Sequence, residues 1–174
     1  TQQMSVFIGL MARMGSDIYN IPQAQVWVMD KRVRYIEDIE PLRDVELQNV
    51  RSVEGVDWAV PLYRGYATIR MPDGLNQQVQ LMGVDDASLM GLCSNMVVGT
   101  REGIRRPQHG IMDLNGFYFA WPKEKPRAGK VVEINDSRVV VGGICDPLPT
   151  FFSFPMLYVS YDTAMEISPA VRNR

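Results

Sequence analysis

Asn135 and Asp136 stand between two apolar, β-branched runs, 131–134 and 138–144, and a tight hairpin needs two residues of this kind. Short polar side chains tolerate positive φ, so the chain is expected to reverse there and pair the two runs as antiparallel strands. Val139-Val140-Val141 marks the second strand as buried. Asn135-Asp136-Ser137 also spells a glycosylation acceptor, but its place in a tight hairpin favours the turn. An earlier hairpin is expected from strands over 66–71 and 78–84 around Pro72-Asp73-Gly74, which is turn chemistry. Thr68, Arg70, Gln78 and Gln80 give it one face suited to water. Two such hairpins commit the chain to a sheet.

Other elements are less strongly marked. Met4, Phe7, Ile8, Met11, Met14 and Ile18 recur at helical spacing, and no charge appears before Arg13. That pattern suits the last turns of a membrane helix emerging into water, and an ordinary buried helix fits it too. Pro22 ends it, because the residue before a proline avoids helical geometry. A strand over 24–29, a helix from Pro41 to about Ser52 with Leu47 and Val50 inward, and a strand over 56–62 would make one β-α-β unit, with Gly55 as the helix stop. A short helix is expected over 86–92, a short strand over 111–113, and a last strand over 156–160. Tyr161-Asp162 then opens a helix that stops before Pro169. Residues 93–129 are the least regular part.

The chain has 174 residues, 46% apolar and 22% charged, with a formal net charge of −2. One domain, or one domain of two small lobes, accommodates that length. A near-neutral balance without a basic stripe argues against a nucleic-acid partner. Lys123, Lys125, Arg127 and Lys130 read as a solvated loop. His109 is the sole histidine, so any histidine-assisted nucleophile would have to use it; beside Pro107 and Gly110 it reads as a plain loop residue. Cys93 and Cys145 lack metal-site spacing, and a bridge and two buried thiols are both open. Gly142-Gly143 is followed by no helix and marks a bulge or a close backbone contact, not a phosphate loop. Glu37, Asp38, Glu40, Asp85 and Asp86 precede helices and suit their N-terminal ends. No catalytic residue, cofactor or metal site is expected. Phe117, Tyr118, Phe119 and Trp121, with Phe151, Phe152 and Phe154, are core residues or, if exposed, the contacts for a partner or cargo.

Several phrases, in this order and spacing, resemble one family. Ser16-Asp17-Ile18-Tyr19-Asn20-Ile21-Pro22, followed by Val26-Trp27-Val28-Met29-Asp30, is similar to the segment after the first membrane helix of MacB-like and DevC-like ABC-transporter permeases. Val53-Glu54-Gly55-Val56-Asp57-Trp58-Ala59-Val60-Pro61-Leu62 resembles their helix-glycine-strand passage, and Gly83-Val84-Asp85 the close of their first hairpin. Gly129-Lys130-Val131, Glu133-Ile134-Asn135-Asp136 and Val139-Val140-Val141-Gly142-Gly143-Ile144 resemble their second hairpin. The stretch 117–130 matches no phrase of the family.

The resemblance implies an α+β fold. A porter-like β-α-β lobe would be formed by both chain ends, 23–65 and 130–174, with a second mixed α/β lobe inserted over 66–129. Residues 1–22 would extend the first transmembrane helix. It implies a non-catalytic periplasmic domain on a bacterial inner membrane that passes ATP-driven movement to cargo or to a periplasmic partner. Implied partners are the cognate ABC ATPase subunit, a second permease copy, a membrane-fusion adaptor and an outer-membrane channel. The same domain type in FtsX-like permeases implies an alternative, a regulatory scaffold that recruits and activates a cell-wall hydrolase.

Overall fold

The structure, a computed structural model, describes residues 4, 7, 19–34, 38–71, 73–148 and 154–168. The expected N-terminal helix lies largely outside these, as do Phe151 and Phe152. Among the described residues the strands are β1 (Tyr63–Arg70), β2 (Asn76–Val84), β3 (Met96–Val98), β4 (His109–Asp113), β5 (Lys130–Ile134), β6 (Ser137–Cys145) and β7 (Met156–Ser160). The helices are α1 (Asp44–Arg51), α2 (Leu114–Ala120) and α3 (Tyr161–Ile167), with a 3-10 turn at Arg101–Arg105.

Both expected hairpins form. β1 and β2 pair antiparallel from Tyr63↔Gly83 to Arg70↔Asn76. β5 and β6 pair around Asn135 and Asp136, which take φ of 44° and 66°, as a two-residue hairpin turn requires. Asn135 also ties three elements together. Its Oδ1 accepts from the Thr68 amide at 2.9 Å, and its Nδ2 donates to the Ile167 carbonyl at 3.3 Å. β5 joins β1 through Ile69↔Ile134 and Arg70↔Glu133, so β6-β4-β7-β2-β1-β5 closes on itself and β3 adds to β6. The fold is a mixed α/β one around this closed sheet, with parallel pairs at β2–β7 and β4–β6. The sheet combines β1, β2 and β4, from the span read as an insertion, with β5, β6 and β7.

Two apolar clusters flank the sheet. Val79, Leu81, Leu157 and Val159 meet Phe117 and Trp121 from the end of α2 and Ala164 and Ile167 from α3. The alternate residues Met82, Val84, Met156 and Tyr158 meet Leu89, Leu92, Cys93 and Ile104. β7 is therefore buried on both faces, as its continuous apolar run suggests. Gly83 lets α3 approach: a Cβ there would lie 2.5 Å from the Ala164 Cβ. The Gly142-Gly143 expectation is borne out as a bulge, since Gly110 pairs with Val141 and Ile111 with Gly143.

Three expectations fail. Residues 24–29 form no strand, because they enter none of the sheet's ladders and so have no partner to bond. Residues 56–62 are not a strand either. The ladder starts at Tyr63 opposite Gly83, and β2 ends one residue later, where Asp85 turns the chain by accepting from the Ser88 amide at 2.8 Å. The β-α-β unit is thus reduced to its helix. Residues 86–92 make turns, because Leu89 (φ 54°) and Gly91 (φ 91°) leave the helical region.

Candidate partner-facing surfaces

The segment 19–62 lies against the closed sheet with few anchors. Ile21 is its one fully buried apolar residue among those described. It packs where a Cβ on Gly91 would meet both Ile21 and Leu62. Asn20 fixes the same end: its Nδ2 donates to the Leu148 carbonyl at 3.2 Å, and its Oδ1 accepts from the Leu148 amide at 3.0 Å. α1 is favoured by Asp44 and Glu46 in its first turn and Arg51 in its last, which complement the helix dipole. Arg51 Nε donates to the Ala59 carbonyl at 2.9 Å, folding 52–59 back onto the helix. None of α1 is buried, although Leu47 and Val50 are its half-buried apolar side, as expected.

Several apolar side chains of this flank stay in water. Val26 is 79% exposed and Trp58 51%, with Val28, Met29, Val45 and Val53 also exposed. Charges rim them. Arg32 bridges Asp30 and Glu40 at 2.9 Å each, and its guanidinium holds the Asp30 carboxyl below the usual range. Between this triad and α1 runs an open cleft of about 610 Å³, floored by Val28, Met29, Leu42 and Val50.

The aromatic group on α2 is split by the structure. Asp113 caps the helix: its Oδ1 accepts from the Gly116 amide at 3.1 Å and from the Met156 amide at 2.8 Å. Burial pushes the Asp113 carboxyl up to about 6, against the two amide bonds that favour its charge. From this cap, Phe117 points inward, fully buried, with its ring 5.0 Å from that of buried Trp121. Tyr118 and Phe119 point to solvent. Phe154 is half-buried, edge-on to Tyr66 at 5.7 Å. Phe117 and Trp121 thus serve the core, and Tyr118 and Phe119 are exposed.

The basic group read as a solvated loop is only partly one. Lys130 heads β5 with its side chain 17% exposed, 5.1 Å over the Trp121 ring and 2.7 Å from Glu124 Oε1. Lys130 and then Arg127 hold the Glu124 carboxyl below its usual range. Lys130 and Trp121 edge a second open cleft, of about 360 Å³, with Arg70, Glu133 and Arg138.

His109 is a strand residue rather than a loop one. It heads β4 opposite Val140, with Nδ1 2.9 Å from the Pro107 carbonyl, to which that nitrogen donates when protonated. Among the described residues no cluster of three or more His, Cys, Asp or Glu is placed to hold a metal ion. No helix among them is long and apolar enough to cross a membrane.

No family model matches the chain, and no curated protein matches it in sequence. Its fold is nonetheless found among solved structures. The extracellular domain of the noncanonic ABC-type transporter YknZ from Gram-positive bacteria superposes with a TM-score of 0.55 at 17% identity, over 72% of this chain and 65% of that one. The periplasmic region of MacB from Actinobacillus actinomycetemcomitans superposes with a TM-score of 0.50 at 16% identity, over 79% of this chain and 62% of that one. The chain therefore spans somewhat under two thirds of each. The mixed α/β character expected from the sequence is present, and it is shared with these domains.

Proposed function

We propose that this chain is a non-catalytic domain on the outer side of a bacterial cytoplasmic membrane, part of an ABC-transporter permease. The observation that carries the reading is the shared fold with two such domains, one extracellular and one periplasmic. The phrases quoted above point the same way from the sequence. In this reading residues 1–22 extend a membrane helix, and the flank 19–62 follows directly from it. ATP-driven movement in the membrane reaches the flank first and passes through its exposed apolar side chains to a protein partner. Tyr118 and Phe119 offer a second contact. The ATPase subunit and a second permease copy complete the machine, and a membrane-fusion adaptor with its outer-membrane channel serves it where an outer membrane exists.

Exposed apolar surface flanked by charge is the form a protein-binding surface takes, and α1, with nothing fully buried, keeps Val45 exposed for such contact. The test is topological. Protease added to intact spheroplasts that carry the parent protein should cleave within this chain while a cytoplasmic marker survives. Cleavage only after lysis would place the chain inside and end the proposal.

A further inference from the structure

Cys93 and Cys145 are the only cysteines of the chain, and the fold brings them together from 52 positions apart. β3 has three residues and pairs with β6 so that Met96 lies opposite Cys145. Just outside that pair, the Asp146 amide donates to the Asn95 carbonyl at 2.9 Å, and Asn95 Nδ2 donates to the Asp146 carbonyl at 3.3 Å. This double contact fixes the segment bearing Cys93 beside the end of β6. Both thiols are buried in one apolar cluster with Leu92, Ile104 and Ile111. The Cys93 thiol donates to the Asn95 carbonyl at 3.8 Å, which turns it into the same pocket at the end of β6.

We propose that Cys93 and Cys145 form an intramolecular disulfide that staples the turn-rich segment 85–98 to the end of β6. The in-cell form of the proposal rests on the extracytoplasmic reading above, because disulfides persist in oxidising compartments. The oxidant is a protein or glutathione disulfide. The Cys93 thiolate attacks one of its sulfurs and expels the other as a thiol. Cys145 then loses its proton and attacks the Cys93 sulfur of the mixed disulfide, forming Cys93–Cys145 and releasing the second thiol. The chain loses two protons and two electrons, and the oxidant gains them. The order of attack follows from their proximity: the neighbouring Cys145 thiol holds the Cys93 thiol below its ordinary value, while Cys93 beside it, and then burial, push the Cys145 thiol up and keep it protonated.

The staple has a structural purpose. Residues 85–92 make turns rather than a helix, but Leu89, Leu92 and Ile104 cover one face of β2 and β7. A bridge closing a loop of roughly 50 residues is large enough to matter, so reduction should lower the thermal midpoint by roughly 5–15 °C.

The purified chain, unfolded and refolded in a glutathione redox buffer so that burial does not limit access, tests the geometry. A monomer two hydrogens lighter than the reduced chain, with a Cys93–Cys145 peptide after digestion, supports the proposal. Two alkylatable thiols per folded monomer, or bridging only between chains, overturns it. Cys93→Ser and Cys145→Ser should each abolish the bridge. If neither variant folds, the digest of the wild-type chain still decides. In cells, acid quenching and thiol alkylation of the parent protein should find both cysteines blocked, and free thiols in a chain that external protease reaches would overturn the proposal. A chain the protease cannot reach defeats the reading of its location instead, and the refolding result then judges the bridge alone.

Discussion

The flank 19–62 and the closed sheet 63–168 are made of similar residues and treat them in opposite ways. In the sheet, Leu81, Ile111, Ile134, Leu157 and Val159 are wholly buried. In the flank, Val26, Val28, Met29, Val53 and Trp58 are equally apolar and lie in water. Burying such a side chain stabilises a fold by about 1.5–3 kcal/mol, so the sheet holds nearly all of the burial energy. The flank is shaped instead by polar contacts: the Asp30–Arg32–Glu40 triad, the Arg51–Ala59 bond and the Asn20–Leu148 clasp. A region that forgoes burial while keeping valines and a tryptophan has its apolar surface available to something else.

Mutations can break or sharpen this contrast. Leu157→Ala, at the centre of β7 between β2 and β4, should cost about 3–4 kcal/mol, read as a large fall in the urea midpoint. A loss under about 1 kcal/mol would mean that the sheet is not the stability centre.

Asp113→Asn comes next, and its effect depends on pH. The folded carboxyl titrates at about 6, above its ordinary value of 3.8, so the folded state holds this proton more firmly than the unfolded one. Its contribution is full below about pH 4 and is lost as pH rises through about 6, a loss of about 2–3 kcal/mol. The neutral amide keeps an oxygen to accept from the Gly116 and Met156 amides and does not titrate. The stability of the variant relative to wild type should therefore rise between about pH 4 and pH 7.5, and parallel urea midpoints at the two pH values would deny the effect.

Asn20→Ala removes both hydrogen bonds to Leu148 and should cost about 1 kcal/mol, while loosening the flank first. Hydrogen exchange should rise across 19–34 and stay unchanged in β2 and β7. Equal changes in both would show that the two regions unfold as one. The smallest effect belongs to Val26→Ser and Trp58→Ser, each expected within about 0.5 kcal/mol of wild type by thermal melt. A larger loss would show that these side chains support the fold rather than face a partner.

The same contrast explains what could be read from residues alone. Asn135-Asp136 and Asp73-Gly74 carry their turns in their own chemistry, and both hairpins form around them. The Gly142-Gly143 bulge was likewise local. Residues 24–29 and 56–62 have strand-like composition, but a strand also needs an edge to pair with, and no local pattern records whether one is near. Their exposure was hidden for the same reason, since alternation implies a buried face only if a neighbour exists. The division of the aromatic group followed from a single cap. Asp113 starts α2 so that Phe117 faces inward and Tyr118 and Phe119 outward, a phase fixed by the first residue of the helix. The contact between Cys93 and Cys145 depends on β3 pairing with β6, two strands far apart in sequence.

The central claim of the proposed function is that the flank is the main working surface. A photo-crosslinking residue placed at Trp58, with Val131 on the sheet as the control, tests it in the membrane-embedded parent protein with its ATPase. The account predicts a protein adduct at position 58 whose yield changes on adding ATP, and little at position 131. Adducts at 131 with none at 58 would contradict it.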